Sequence, residues 1–334
     1  FLAMFAVVLV VSLGLIGWRG DRLRSPGGID SPLSREAAFL ANNVLFAVFA
    51  FVVLLGTVFP LIVEALQNRQ IAVGAPFFDR LSTPIGLSLL TLMAIAPVLP
   101  WRKATTETLR DRLFWPAWCG LGALILSLAL GAYGLAPLLT FALGGVSAGA
   151  ALRQVFLATR RQGWRGLVGR ANGGMIVHLG VILIAVALGA SNSFSKSQEL
   201  SLVQNVEAQF AGHTFELRDV IEVRDDRSIS VKALVLVDGR KIYAPAITKF
   251  NRIGMNVGTP SVRTSLTTDI YLTLEPPVRQ DANEARIKVF IKPMITWLWI
   301  GTALMAVGTA LAAFPGRRRK PTEPTSAPVE VGRS

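Results

Sequence analysis

His178 is the residue whose type and setting most invite chemistry. It stands in Gly173-Gly174-Met175-Ile176-Val177-His178-Leu179-Gly180, inside an apolar run that begins after Arg170. At about 1.5 Å of helical rise per residue it falls on the order of 12 Å into that run. An imidazole in hydrocarbon is unfavourable unless partnered, so an ionisable residue there is a functional candidate. Neutral imidazole is a good axial ligand for haem iron. The glycines at 173, 174 and 180 would let a macrocycle or another helix approach closely. The competing reading is a histidine hydrogen-bonded to a neighbouring helix as packing glue, and the residues fit both. His213 is the only other histidine. It opens a β segment and reads as a surface or turn residue. A bis-histidine haem inside the bilayer therefore needs its second ligand from outside this chain. Met175, three residues before His178 and on roughly its face, reads as packing.

Other polar groups in or beside the apolar runs are few. Arg35, Glu36, Asn42 and Asn43 stand at the start of the second run. They are candidates to pair with haem propionates or to hydrogen-bond a quinol head group. As plain structure, Arg35 and Glu36 are solvated anchors and the asparagines bridge helices. Glu64, after Pro60, reads as interfacial. Gly74 to Asp79 reads as a structured outer loop that touches haem or a partner rather than as a catalytic site. Cys119 is the single cysteine and reads as a small buried hydrophobe. Without a CxxC or CxxCH motif the chain is neither a c-type cytochrome nor a thiol–disulfide oxidoreductase. No nucleophile–base pair, phosphate loop or metal cluster appears in the sequence.

The elements that position these residues follow from composition. Of 334 residues 52% are hydrophobic and 16% charged, with a mean hydropathy of +0.50. A soluble domain carries about 25% charged residues. Apolar segments near 1–18, 37–66, 84–100, 113–133, 134–152, 174–190 and 293–314 predict a polytopic α-helical membrane protein with about seven transmembrane helices. Pro60 predicts a tilted or kinked second helix. Gly131, Gly134 and Pro137 divide 113–152 into two. The net charge of +13 would suggest nucleic acid in a soluble protein. Here the arginines cluster in short loops rather than along a stripe, so no nucleic-acid partner is expected.

Those loops predict the orientation. Arg19, Arg22, Arg24 and Arg35, then Arg102, Lys103, Arg110 and Arg112, then Arg153, Arg160, Arg161, Arg165 and Arg170, and finally Arg317 to Lys320 alternate with loops poor in basic residues. All fall on one side, as the positive-inside rule requires. The expectation is an external N-terminus and a cytoplasmic C-terminus in a bacterial inner membrane. Residues 191–292 change character. His213–Val223, Ser228–Val237, Lys241–Phe250, Ser265–Glu275 and Ala285–Ile291 are β-branched or alternating, punctuated by Asp238-Gly239 and Pro276-Pro277. Val237-Asp238-Gly239-Arg240 predicts a hairpin turn. The predicted organisation is a six-helix region over 1–190, a small external all-β domain over 191–292, a last helix over 293–314 and a disordered basic tail over 315–334. The chain opens on Phe1 inside an apolar run with no basic n-region, so an N-terminally truncated fragment or a split gene product is expected.

Further along stand Ser34-Arg35-Glu36 with Leu40-Ala41-Asn42-Asn43, Leu55-Gly56-Thr57-Val58-Phe59-Pro60, Gly74-Ala75-Pro76-Phe77-Phe78-Asp79, Met175-Ile176-Val177-His178-Leu179-Gly180, and Val289-Phe290-Ile291-Lys292-Pro293 followed by Trp297 and Trp299. Together these stretches resemble the C-terminal half of the cytochrome c-type biogenesis family CcmF/CycK/NrfE. The resemblance covers nearly the whole chain in order. It implies a subunit of the haem lyase that attaches haem to the CxxCH thiols of apocytochrome c. It also implies a transmembrane b haem that reduces the delivered haem, with quinol as a candidate electron donor. The implied partners are the lyase subunits CcmH and CcmI, the haem chaperone CcmE and apocytochrome c. Residue by residue, His178 maps to an axial ligand of the b haem. The family's tryptophan-rich external haem-handling segment, its two flanking histidines and its first transmembrane ligand have no counterpart here, and this piece alone is not expected to be active. The alternatives from other classes are a transporter or permease subunit and a membrane-anchored scaffold for cytochrome assembly.

Overall fold

The computed structural model describes residues 2–23, 31–32, 34–99, 106–163, 167, 169–250, 256–276 and 283–313. Its helices are α1 (Leu2–Leu23), α2 (Arg35–Gln67), α3 (Ala75–Ile95), α4 (Thr106–Ala129), α5 (Leu135–Gln162), α6 (Arg170–Phe194) and α7 (Thr296–Ala313). Between α6 and α7 come β1 (Lys196–Val203), β2 (Glu207–Phe210), β3 (His213–Asp225), β4 (Ser228–Val237), β5 (Lys241–Tyr243), β6 (Ala246–Phe250), β7 (Asn256–Thr259), β8 (Ser261–Arg263), β9 (Thr268–Leu274) and β10 (Glu284–Pro293). The expectations placed on Arg24, Arg102, Lys103, Arg165, Pro277, Arg317 to Lys320 and the tail 315–334 lie outside the described residues.

Among the described residues, six helices are long and apolar enough to cross a membrane: α1, α2, α4, α5, α6 and α7. With a β domain before the last of them, this is a multi-pass membrane protein of the expected class. The apolar segment expected over 84–100 falls largely in α3. α3 begins at Ala75, ends at Ile95, and is not among the six. Asp79 and Arg80 dilute its first turns. Gly74 to Asp79 is therefore not a loop. Gly74 is the N-cap and Pro76 sits in the first turn, where a missing N–H leaves no bond unmade. α2 starts on Ser34, whose Oγ accepts from the Ala37 N–H at 3.1 Å. It continues through Pro60 and stops at Asn68, which adopts a left-handed φ of 49°. α4 and α5 are separated at Gly131 and Gly134, with φ of 83° and 88° that only glycine adopts freely.

Glycines set the helix packing. A Cβ at Gly180 would lie 2.5 Å from Met305 and 2.6 Å from the Gly301 carbonyl, and one at Gly308 2.7 Å from the Val177 nitrogen. α6 and α7 thus meet backbone to backbone. α4 and α5 meet in the same way at Gly120, Gly145 and Gly149. Cys119 borders that contact, yet it is exposed on α4 rather than buried. In a chain whose helices present apolar side chains outward, an apolar run marks a membrane-facing surface as readily as an interior. α5 reaches α3 through the Ser147 hydroxyl, which donates to the Leu90 carbonyl at 3.3 Å. It reaches α6 where Val186 covers Gly144. Phe78 and Phe77 of α3 cover Gly56 of α2.

The β domain is two antiparallel sheets, ordered β1-β10-β9-β8 and β2-β3-β4-β6-β7, with β5 also paired to β4. Alternate residues of both sheets share one core. Leu202, Phe215, Leu217, Val235, Leu272, Ile287 and Val289 are fully buried in it, each large side chain contributing about 1.5–3 kcal/mol. Asp238 and Gly239 turn β4 into β5 with φ of 52° and 61°, as their Asp-Gly sequence predicts.

Candidate functional site

A cavity of about 510 Å³ lies between α2, α3 and α6, and His178 borders it. α5 bridges α3 to α6 at Ser147, while α2 rests on α3 chiefly around Gly56. The three helices therefore do not close on one another along their middle.

The walls follow helical spacing. α6 contributes His178, Val181, Ala185 and Leu188, α2 contributes Ala38, Phe39, Asn42 and Phe46, and α3 with its following turn contributes Gly86, Leu89, Leu90, Met93 and Pro97. At about 100° per residue, His178 is turned nearly opposite the Gly173–Gly180 face of α6. That glycine face belongs to α7. Of the two uses open for those glycines, close approach of another helix is the one seen at Gly173 and Gly180. Gly174 faces open space.

The lining is almost wholly apolar, which makes its two polar side chains, Asn42 and His178, conspicuous. Nδ1 of His178 is buried and has no hydrogen-bond partner among the described residues. The packing-glue reading expects such a bond, and at Nδ1 there is none. A buried polar atom left unpaired is unfavourable by about 1–3 kcal/mol. Its persistence beside a cavity fits an absent ligand.

The remaining candidates fall elsewhere. Asn43 is exposed and does not line the cavity. Arg35 does not line the cavity. Its Nη2 donates to the Pro97 carbonyl at 3.0 Å, and Arg112 Nη1 donates to the Val98 carbonyl at 3.0 Å. Two guanidinium groups thus cap the C-terminal end of α3, where carbonyls lack helical partners and positive charge is favoured. Glu64 accepts from Gln70 Nε2 at 3.0 Å just beyond α2. His213 opens β3 in the β domain, with Nδ1 2.8 Å from Asp238 Oδ2. The aromatic walls Phe39 and Phe46 and the α3 contribution were missed by sequence reading. In α2 the signal was present as Ala38, Asn42 and Phe46 at four-residue spacing.

The cavity volume lies within the range of about 300–1,000 Å³ common for cofactor and small-molecule sites. An apolar slot bordered by an imidazole whose Nδ1 has no partner among the described residues fits a haem. His178 would hold the iron, and Phe39, Phe46, Leu89 and Met93 would pack on the ring.

No protein-family model matches the chain. It is 30% identical over 303 residues to the cytochrome c-type biogenesis protein CcmF of Pseudomonas fluorescens, covering 86% of this chain and 44% of the relative. It is 27% identical over 347 residues to CcmF of Escherichia coli (strain K12), covering 99% of this chain and 51% of that one. Among solved structures, the cytochrome c haem lyase CcmF superposes with a TM-score of 0.71 at 26% identity, over 94% of this chain and 50% of the other. The chain is a relative of CcmF. It spans about half the length of the curated relatives it matches. The CycK protein of Bradyrhizobium diazoefficiens is a further relative, 28% identical over 323 residues. The likeness to CcmF runs through the helices and the β domain together, as the coverage of 94% requires.

Proposed function

We propose that this chain works in the maturation of c-type cytochromes, as part of the haem lyase that joins haem to apocytochrome c, and that His178 is an axial ligand of a transmembrane b haem. One observation carries the site assignment. His178 borders a 510 Å³ apolar cavity with a buried, unpaired Nδ1, in a chain related to proteins named for cytochrome c biogenesis and haem lyase. The b haem would supply one-electron transfer, with quinol as its electron source. The chain's own part is to offer the imidazole, keep water from the ring with apolar walls, and present the Asn42 amide to the cofactor's polar edge. The second axial ligand comes from outside this chain, since His213 belongs to the β domain. The partners that go with this role are CcmH, CcmI, CcmE and apocytochrome c. The end of the bundle holding Arg35 and Arg112 faces the cytoplasm of a bacterial inner membrane, and the β domain faces the periplasm.

The transporter reading looks for helices broken near the midplane. Among the described residues α2 passes unbroken through Pro60, and the α4–α5 break lies at a helix end, so no observation favours it.

The test is a visible absorption spectrum of the protein purified from its own membranes with associated polypeptides kept in place, compared with His178→Ala. The expected result is a reducible b-type Soret and α band in the wild type that is missing from an equally expressed variant. Full haem in the variant, or a colourless wild type with haem available, overturns the assignment.

A further inference from the structure

The β domain holds a second cavity, of about 300 Å³, that shares no residue with the His178 site. It opens between the two sheets, where the start of β3, the β4–β5 hairpin and the β8–β9 connection meet. Arg240, Lys241 and Arg263 line it together with His213, Asp238 and Tyr243. Three permanent cations thus face one carboxylate. That carboxylate is already engaged, accepting from the Thr214 N–H at 3.0 Å and meeting His213 Nδ1 at 2.8 Å. Among the described residues no carboxylate lies within ion-pair distance of the three cations. Arg263 is also held in place. Its Nη2 donates to the Ile242 carbonyl at 2.9 Å and its guanidinium lies 5.3 Å from the Tyr243 ring centroid.

The fourth side of the cavity is the loop 264–268, which contributes the hydroxyl residues Thr264, Ser265, Thr267 and Thr268. The same loop ties the domain to the start of α7. Trp297 Nε1 donates to the Leu266 carbonyl at 2.8 Å, Met294 N–H to the Thr267 carbonyl at 3.0 Å, and the Thr296 hydroxyl to the Ser265 carbonyl at 2.5 Å. One loop therefore separates this cationic cavity from the point where a spanning helix enters the membrane.

We propose that the cavity binds a phosphate-type oxyanion, drawn from a phospholipid headgroup at the adjoining membrane surface or from free phosphate in the same compartment. Arginine forks and hydroxyls suit tetrahedral oxyanions, and the volume is at the small end for ligand sites. This does not rest on the haem assignment.

The full chain is purified in nonionic detergent and phosphate-free buffer. Binding is read by microscale thermophoresis against inorganic phosphate, against short-chain phosphatidylglycerol, and against diacylglycerol of the same chain length. Arg263→Gln and the double variant Arg240→Gln/Lys241→Gln are each expected to weaken binding about tenfold, while Arg218→Gln, on β3 outside the cavity, leaves it unchanged. Response to phosphatidylglycerol alone assigns the lipid source, and response to phosphate alone assigns the free ion. Absence of both, binding that survives the cavity variants, equal loss in Arg218→Gln, or equal binding of diacylglycerol overturns the proposal. Arg240 and Lys241 are exposed. If Arg263→Gln disturbs the circular dichroism spectrum, the double variant carries the test.

Discussion

Neighbouring residues of one type can have unlike fates. Asn42 borders the His178 cavity, whereas Asn43, turned about 100° from it on the same helix, is exposed and lies outside the lining. Replacing Asn42 by Leu is expected to shift the band position or midpoint potential of the proposed haem, and Asn43→Leu to shift neither. Redox titration of the two purified variants checks this, and equal effects would remove Asn42 from the site. In the β domain, burial pushes the Asp238 carboxyl up. The hydrogen bonds from His213 and Thr214 and the charges of His213 and Arg240 outweigh it and hold the carboxyl below its ordinary value. A carboxylate with a depressed folded-state pKa adds stability above its unfolded value of about 3.9, and that stability is lost as pH falls through the folded value. Asparagine tolerates the left-handed backbone at this turn. Asp238→Asn should therefore lower the melting temperature at neutral pH and make its decline in acid shallower. Thermal scans of both proteins between about pH 2 and 7 test the sign.

Helices carried a legible signal where a polar residue interrupted an apolar run, and an illegible one where the phase of a helix mattered. His178 stood out because nothing around it was polar. The separation of Asn42 from Asn43 needed the rotation of α2, which an apolar helix does not reveal because membrane-facing and interior residues look alike. The same ambiguity put Cys119 inside. The start of α3 was missed because Gly-Ala-Pro reads as a loop until Pro76 is recognised as a first-turn residue. The first two strands of the domain went unmarked because Lys196–Val203 and Glu207–Phe210 carry few β-branched residues. The α6–α7 seam gives the sharpest prediction at this scale. Gly301→Val would drive a side chain into the Gly180 carbonyl, 2.8 Å from an ideal Cβ, with destabilisation of about 1–3 kcal/mol. Gly174→Ala, where a Cβ meets nothing within 4 Å, should be neutral or stabilising by up to about 1 kcal/mol. Thermal unfolding in detergent distinguishes the pair.

For the whole molecule, the Arg35–Arg112 cluster and the β domain sit at opposite ends of the bundle. Arg35 and Arg112 meet at the end of α3, and the Gly169 N–H donates to the Leu311 carbonyl at 3.1 Å. At the other end, the Tyr133 N–H donates to the Ser193 hydroxyl at 2.9 Å, beside the β domain. With Cys119 replaced by Ala, a cysteine introduced at Asp226 should react with a membrane-impermeant maleimide in intact spheroplasts. One at Arg160 should react only after lysis. The reverse pattern would invert the proposed orientation.

α6 runs into β1 through Ser195 alone, and β10 runs into α7 through Met294 and Ile295. β1 and β10 pair with each other in register from Lys196–Ile291 to Val203–Glu284, just as α6 and α7 pack along their glycines. The helical hairpin and the strand ladder are therefore one stiff two-railed mast, fixed in the bilayer at one end and built into the sheet at the other. A rotation or slide of α6 at the depth of His178 has no slack joint in which to dissipate. Between α6 and the edge strand of the sheet there is one residue, and between the sheet and α7 there are two.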